Sequence, residues 1–179
     1  KISARNSTGG NLKSWEVAQE GVESYWKRFL HVREMPEGTY GIQVSIVTHV
    51  ADNMPAVTYA YVDVKLELVY TRPEKSKELN MLANPGFEEG DSDNNGIPDG
   101  WIGYAQTGAS MELIKDAATA GSGEYWAKCT STEGGYYLLY QQTFPANPGE
   151  VWQFSSFIKD VSPVYQSDTL AARLKISAK

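Results

Sequence analysis

Hydrophobic and polar residues alternate with a period of two along most of this chain of 179 residues. The clearest run covers residues 57–70, where the apolar residues Val62, Val64, Leu66 and Leu68 occupy one face and charged residues fill the positions between them. Residues 40–49 alternate in the same way, and residues 24–35 carry apolar side chains on both faces. A period of two is typical of strands, whose successive side chains point to opposite sides of a sheet.

Shorter runs of the same kind follow in the second half of the chain. They cover residues 111–114, 123–130, 136–144, 151–159 and 168–178, and each is bounded by Gly, Ser, Thr or Pro. Short helices are expected only at residues 15–21 or 116–120. About ten strands without intervening helices predict an all-β fold, a two-sheet antiparallel β-sandwich.

The stretch 84–101 breaks the alternation and is rich in Asp, Asn and Gly. Four side chains with oxygen atoms occupy positions 1, 3, 5 and 9 of one loop: Asp91, Asp93, Asn95 and Asp99. This is the spacing with which a calcium loop surrounds one cation. Gly96 at position six can take the positive φ of a sharp turn, and Ile97 at position seven would offer its backbone carbonyl. The loop therefore predicts a structural Ca²⁺ site.

Two features limit the match to a calcium loop. The twelfth position is Ile102, where a bidentate Glu would be expected, so another part of the chain or water must complete the shell. The alternative is a solvated acidic turn, because Asp, Asn, Gly and Pro are also the commonest turn residues.

Charge and composition exclude several classes of partner. The net charge is -6 and no run of Lys or Arg exceeds two, so no nucleic-acid partner is expected. No apolar run reaches the roughly 18 residues that span a bilayer, so no membrane insertion is expected. The single cysteine, Cys129, excludes an internal disulfide. The N-terminus carries no signal peptide, and an extracellular or cell-surface location is expected from the loop chemistry and the partner instead.

The two ends of the chain nearly repeat each other. Residues 175–179 are Lys-Ile-Ser-Ala-Lys and residues 1–5 are Lys-Ile-Ser-Ala-Arg. This predicts a fragment of a tandem array, with residues 1–70 as the C-terminal half of one module, 71–80 as a linker and 81–179 as the N-terminal half of the next. The halves would form one β-sandwich, either within one chain as a circular permutant or between two chains as a domain-swapped dimer. The two copies of Lys-Ile-Ser-Ala would then compete for one strand position.

With its halves reordered, the chain resembles a carbohydrate-binding module of the β-jelly-roll type, similar to families 4, 9, 16 and 22 and most like family 16. The resemblance is carried by Asn-Pro-Gly-Phe-Glu at 84–88, Pro-Asp-Gly-Trp at 98–101, Gly-Ser-Gly at 121–123, Pro-Gly at 148–149, Met-Pro-Glu-Gly at 35–38 and Tyr-Val-Asp-Val-Lys-Leu-Glu at 61–67. It implies a jelly roll like that of galactose-binding domains. It also implies a structural calcium held by Glu88 and Asp63 together with backbone carbonyls, and the acidic loop would either extend that site or form a second one.

Sugar binding needs flat apolar platforms beside polar side chains, because a pyranose ring has apolar C–H faces and hydroxyl edges. The resemblance implies that Trp101 and Trp26 are such platforms, although a tryptophan in a sandwich is also a common core residue. The polar candidates are Gln141, Gln142 and Gln43, and Tyr165 is a candidate at the rim.

No enzyme is expected. The chain has no Gly-x-Ser-x-Gly, no His-Glu-x-x-His and no Gly-rich phosphate loop, and clustered calcium ligands must stay ionised and make poor general acids. We predict a non-catalytic module that binds β-linked plant polysaccharide of the cellulose or glucomannan type and targets an attached glycoside hydrolase to it. The alternative is a structural or adhesive repeat of the cell surface that uses the same sandwich without binding sugar.

Overall fold

The computed structural model describes residues 11–20, 22–52, 54–70, 80–132, 134–163 and 171–179. Regular structure in these ranges consists of β-strands: β1 Lys13–Ala18, β2 Lys27–Glu34, β3 Gly41–His49, β4 Val57–Tyr70, β5 Ile102–Ala105, β6 Ala109–Lys115, β7 Tyr125–Ser131, β8 Tyr136–Tyr140, β9 Phe144–Pro145, β10 Val151–Asp160 and β11 Ala172–Ala178. The predicted all-β class is confirmed. Within the described ranges, no helix has the length and apolarity that crossing a membrane requires.

The strands form two antiparallel sheets. Sheet A has the order β1-β11-β3-β8-β5, and the short β9 also pairs with β3. Sheet B has the order β2-β10-β4-β7-β6. The predicted two-sheet antiparallel β-sandwich is confirmed.

The core lies between the two sheets and is built by the alternation seen in the sequence. Ile42, Val44 and Ile46 of β3 are almost completely buried, and so are Val64 and Leu66 of β4. Burying one such side chain stabilises the fold by about 1.5–3 kcal/mol relative to leaving it exposed. Val62, predicted on the same face as Val64, packs instead in a separate cluster with Ala60 and Trp126, where the register between β4 and β10 shifts.

Both halves of the chain contribute to both sheets. In sheet A, β11 lies between β1 and β3, and in sheet B, β10 lies between β2 and β4. Residues 175–178, the second copy of Lys-Ile-Ser-Ala, thus occupy a position with a partner strand on each side. The first copy, residues 1–4, lies outside the described residues, as does most of the predicted linker. That the chain is a permuted fragment of a tandem array remains a prediction.

The helix expected at residues 15–21 is wrong. Residues 13–18 form β1, which pairs with β11 along its whole length. Side chains reinforce this pairing, because Glu16 accepts a hydrogen bond from Arg173 at 2.8 Å and lies 3.7 Å from the ammonium of Lys175. Residues 116–120 form a hydrogen-bonded turn and not a helix, with Ala120 donating to the carbonyl of Asp116 at 2.9 Å.

Candidate functional site

The acidic loop brings three carboxylates together between residue 84 and β5. One oxygen from each of Asp91, Asp93 and Asp99 lies within 4.8 Å of the other two. Gly96 has a φ of +82°, as the turn at position six requires. Three of the predicted ligands therefore converge, and their oxygen atoms suit a hard cation such as Ca²⁺.

Backbone amides of the loop hold these carboxylates in place. Asp91 accepts hydrogen bonds from the amides of Asn95 at 3.1 Å and Gly96 at 2.7 Å. Asp99 accepts from the backbone and hydroxyl of Ser92. The side-chain oxygen of Asn95 accepts from the amide of Ile97 at 2.7 Å, so this predicted ligand already has a partner. The loop is ordered by its own Asx-type hydrogen bonds, with three carboxylates on one side.

Two other predicted calcium ligands, Glu88 and Asp63, have hydrogen-bond partners on other elements. Glu88 accepts hydrogen bonds from the amides of Glu124 and Tyr125 at 3.0 and 3.1 Å, which ties the start of the acidic region to β7. Asp63 has a φ of +49° at an irregularity of β4 and accepts from the Arg28 guanidinium at 3.1 Å. Neither belongs to the cluster of three carboxylates. The calcium site that the resemblance implies at Glu88 and Asp63 remains a prediction.

Trp101 lies in the core and not on the surface. It is 6% exposed, its ring centroid lies 5.4 Å from that of Phe87, and its indole N–H donates to the carbonyl of Asn84 at 3.0 Å. This burial contradicts the prediction that Trp101 is a sugar platform. Its physical role is to anchor the end of the acidic loop to the core, where an indole without a hydrogen-bond partner would be costly.

Trp26 is half-buried on the outer side of sheet B. Its indole N–H donates to the carbonyl of Thr119 at 3.0 Å, and its ring meets Trp126 edge-on with centroids 6.4 Å apart. A Cβ atom at Gly121 would lie 2.9 Å from the ring, so the loop backbone covers part of the indole. Trp26 and Trp101 thus belong to different packing clusters and do not form a pair of platforms on one face.

The predicted polar ligand residues lie in different environments. Gln141 is 3% exposed and binds the backbone N–H and carbonyl of Ala83, so it is a structural residue. Gln43 lies on the outer face of sheet A and donates to the carbonyl of Gln141 at 3.2 Å. Gln142 is exposed just after β8. Tyr165 lies outside the described residues.

A group of tyrosines that the sequence analysis did not select lies on the outer face of sheet A. The strand register places Tyr104 opposite Leu138 and Tyr140 opposite Ile102, and Tyr136 opposite His49. Because alternate residues of a strand share a face, Tyr136, Leu138 and Tyr140 project away from the core, into which the residues between them point. We call this surface, formed by Tyr104, Tyr136 and Tyr140 with their neighbours, the tyrosine face.

The tyrosine face is accessible and extended. Tyr104 is 51% exposed, and Tyr136 and Tyr140 are half-buried. Tyr136 and Tyr140 are four residues apart on one strand, which corresponds to about 13 Å. Tyr104 on the neighbouring strand lies diagonally between them, at about 7–8 Å from each. This is an aromatic surface long enough to contact several units of a polymer.

Charged and polar groups border the tyrosine face. The rings of Tyr136 and His49 have centroids 5.6 Å apart. On the other side of β3, Arg173 and Lys175 of β11 make ion pairs with Glu16 of β1. The face therefore places imidazole, guanidinium and amide groups beside phenol rings.

Two pKa shifts follow from this arrangement. Partial burial, with a smaller contribution from Glu16, raises the pKa of Tyr136 to about 12, so its hydroxyl stays protonated and able to donate near neutral pH. Burial, followed by the positive charge of Arg173, lowers the pKa of His49. The imidazole is thus neutral near pH 7 and can both donate and accept a hydrogen bond.

The sequence alone could not place these three tyrosines on one surface. Residues 136–140 read Tyr-Tyr-Leu-Leu-Tyr, which is apolar on both faces, so alternation cannot say which face is buried. Tyr104 lies in β5, a strand of four residues that was not predicted. Only the pairing of β5 with β8 brings the three rings to one surface.

Comparison with family models, with curated proteins and with solved structures finds no match to this chain. The resemblance to a carbohydrate-binding module therefore remains a prediction from the sequence.

Proposed function

We propose that this chain is a non-catalytic module that binds β-linked polysaccharide through the tyrosine face. The observation that carries the proposal is the placement of Tyr104, Tyr136 and Tyr140 on one outer face, in reach of polar side chains. The C–H faces of sugar rings stack on phenol rings, and sugar hydroxyls need directional donors and acceptors. The polysaccharide we propose is of the cellulose or glucomannan type, recognised outside the cell for an attached glycoside hydrolase.

Polar side chains on the same face would supply the hydrogen bonds. His49 and Gln43 both lie on β3, beside the tyrosines of β8. The amide of Gln43 also binds the backbone at residue 141, which holds it at the end of the face. A ligand running along β8 would meet aromatic and polar groups in turn, which is the combination that a glycan requires.

We propose a binding role and not a hydrolytic one because the outer face of sheet A has few carboxylates. Among the described residues, the strands of sheet A contribute one carboxylate to its outer surface, that of Glu16. Hydrolysis of a glycosidic bond generally uses two carboxyl groups on either side of the sugar. Glu16 lies on β1, three strands away from β8, and is engaged in ion pairs with Arg173 and Lys175.

We also propose that the acidic loop binds Ca²⁺ and thereby stabilises the fold. Asp91, Asp93 and Asp99 would hold the ion, since their oxygens already converge. The loop leads through Pro98 and Trp101 into β5, the strand that carries Tyr104. An ion that orders the loop would therefore also order one edge of the tyrosine face.

The test is affinity electrophoresis in gels containing glucan, mannan or xylan. We expect the wild-type protein to be retarded by a glucan or a mannan. We expect Tyr104→Ala and Tyr140→Ala each to weaken retention at least about fivefold, because each removes a stacked ring worth about 1 kcal/mol. The matched control is Tyr25→Ala, since Tyr25 is 61% exposed and precedes β2 in the other sheet.

Two results would contradict the proposal. Unretarded migration of the wild-type protein in all three gels would favour a structural or adhesive repeat instead. Equal retention of the wild type, Tyr104→Ala and Tyr140→Ala would mean that sugar is bound elsewhere on the molecule.

A further inference from the structure

A concave surface lies at the edge of sheet A that is opposite to β5. It is a cleft of about 500 Å³ where β1, the edge strand of sheet A, meets the turns that follow β2 and precede β10. Its volume lies within the range of about 300–1,000 Å³ that is typical of small-molecule sites. We call it the Trp15 cleft, and its walls include Trp15, Pro36, Pro148, Lys13, Glu34 and Glu37.

The walls combine apolar rings with charged side chains. Trp15 is half-buried and packs against the core on one side, while Pro36 and Pro148 add two further rings. The ammonium of Lys13 lies 5.0 Å from the centroid of the indole. Glu34 and Glu37 are exposed at the mouth. This composition suits a ligand with one apolar face and several hydroxyl groups.

The backbone around the cleft is held by hydrogen bonds, so the cleft is preformed. The amide of Met35 donates to the carbonyl of Glu150 at 2.8 Å, and the amide of Gly149 donates to the carbonyl of Met35 at 2.9 Å. The turn after β2 is closed by Thr39, whose hydroxyl donates to the carbonyl of Pro36 at 2.7 Å. A preformed cleft spends less binding free energy on ordering its own loops.

The charges of the cleft select between ligand classes. The cleft is lined by two carboxylates and one ammonium, and the Arg33 guanidinium lies 6.0 Å from the centroid of the indole, so no excess of positive charge favours phosphate or other anions. A purely apolar ligand would leave the polar groups of the cleft without hydrogen-bond partners. A short neutral oligosaccharide satisfies both requirements, because its hydroxyls can donate to Glu34 and Glu37 while one sugar face covers the indole.

We propose that the Trp15 cleft is a second oligosaccharide-binding site, distinct from the tyrosine face. This inference rests on the proposed function and adds a second site to it. In the order β1-β11-β3-β8-β5, the strand that carries Trp15 is three positions away from β8, which corresponds to about 14 Å at the usual strand spacing. Two sites on one module raise its apparent affinity for a polymer more than for a short oligosaccharide.

The experiment is an NMR titration of the ¹⁵N-labelled protein with cellohexaose and, separately, with mannohexaose. We expect one of these sugars to shift the indole Nε1–H signal of Trp15 and, independently, the backbone signals of β5 and β8. In Glu34→Ala/Glu37→Ala the Trp15 shift should report binding at least about tenfold weaker, since charge-assisted hydrogen bonds are lost. In Tyr104→Ala/Tyr140→Ala it should persist.

Control measurements keep the test interpretable. Glu89→Ala removes an equally exposed carboxylate outside the cleft and should leave both sets of shifts unchanged. The unfolding temperatures of the variants establish that each is folded. Trp15→Ala is unsuitable as the primary variant, because Trp15 also packs against the core.

The possible outcomes separate the two proposals. Shifts confined to β5 and β8, with none at Trp15, would overturn the second site and leave the tyrosine face supported. A Trp15 shift that survives Glu34→Ala/Glu37→Ala at unchanged affinity would also overturn it. A Trp15 shift without any change in β5 and β8 would support the cleft and overturn the tyrosine face. No shift with either sugar would overturn both.

Discussion

Replacing Asp93 by Asn should reveal whether the acidic loop binds a cation. The carboxylate oxygens of Asp91, Asp93 and Asp99 lie within 4.8 Å of one another. At that distance two unit charges repel by about 0.9 kcal/mol in the dielectric of water, and physiological salt roughly halves this value. Asp93→Asn removes two of the three repulsive pairs, a relief of about 1 kcal/mol at physiological ionic strength.

The expected result depends on calcium. In EDTA the loss of electrostatic repulsion stabilises the variant, and the weakened hydrogen bonds from Asn95 to residue 93 offset part of this gain. The variant should therefore be at least as stable as the wild type. In calcium at about 100 times its dissociation constant, the wild type should gain about 2.7 kcal/mol, or roughly 5–10 °C in unfolding temperature. Asp93→Asn should lose more than half of this gain, because one ligand is missing.

The assay is differential scanning calorimetry of both proteins in EDTA and in CaCl₂. Asp116→Asn is the matched control, because Asp116 accepts hydrogen bonds from the amide of Ala118 and the hydroxyl of Thr119 outside the acidic loop and should lower the unfolding temperature equally in both conditions. An unfolding temperature of the wild type that does not respond to EDTA would refute the calcium site. A variant that is destabilised by the same amount in both conditions would refute the electrostatic reasoning.

Two further predictions concern the core. Trp101→Phe should lower the free energy of unfolding by about 1–3 kcal/mol in urea titrations, because the carbonyl of Asn84 loses its buried donor. Retention of this variant in glycan gels should stay unchanged. Weaker retention at unchanged stability would instead make Trp101 a ligand residue. Burial, followed by Arg33, lowers the pKa of His31 below its ordinary value of 6.5, so the unfolded chain binds protons more readily than the folded chain. Stability should therefore be fully present above that value and should fall as the pH drops below it, and His31→Phe should flatten this dependence, with the remaining slope due to His49. A His31→Phe variant with the same pH dependence as the wild type would contradict this assignment.

The strands could be predicted where alternation and turn residues agreed. The run at 57–70 became β4 with its predicted bounds, and the run at 40–49 became β3 to within a residue. Residues 15–21 gave a misleading signal because Trp15, Val17 and Ala18 are compatible with a short helix. Pairing with β11 and the ion pairs of Glu16 stabilise a strand here, and both β11 and the ion-pair partners of Glu16 lie far away in the sequence.

The sequence predicted how side chains within the acidic loop come together, but not the contacts that predicted ligands make with distant strands. The carboxylates at positions 1, 3 and 9 of one loop converge, because a nine-residue loop with Gly96 at its turn has few ways to fold. Glu88 and Asp63, the ligands that the resemblance implies, do not belong to this cluster, and each has hydrogen-bond partners supplied by other elements. Residues that depend on distant strands cannot be assigned from spacing alone.

The sequence by itself determined the all-β class, most of the strands and the convergence of the acidic side chains, since these follow from the two-residue period of a strand and from the short reach of a loop. Only the tertiary structure decided which aromatic residues are exposed. The resemblance implies that Trp101 is a platform, but Trp101 fills the core, whereas Tyr104 and Tyr140 lie on the outer face of sheet A because β5 and β8 pair at its edge. The physical reason is that burial depends on how two sheets pack face to face, and the alternation within one strand is the same whichever face is turned inward.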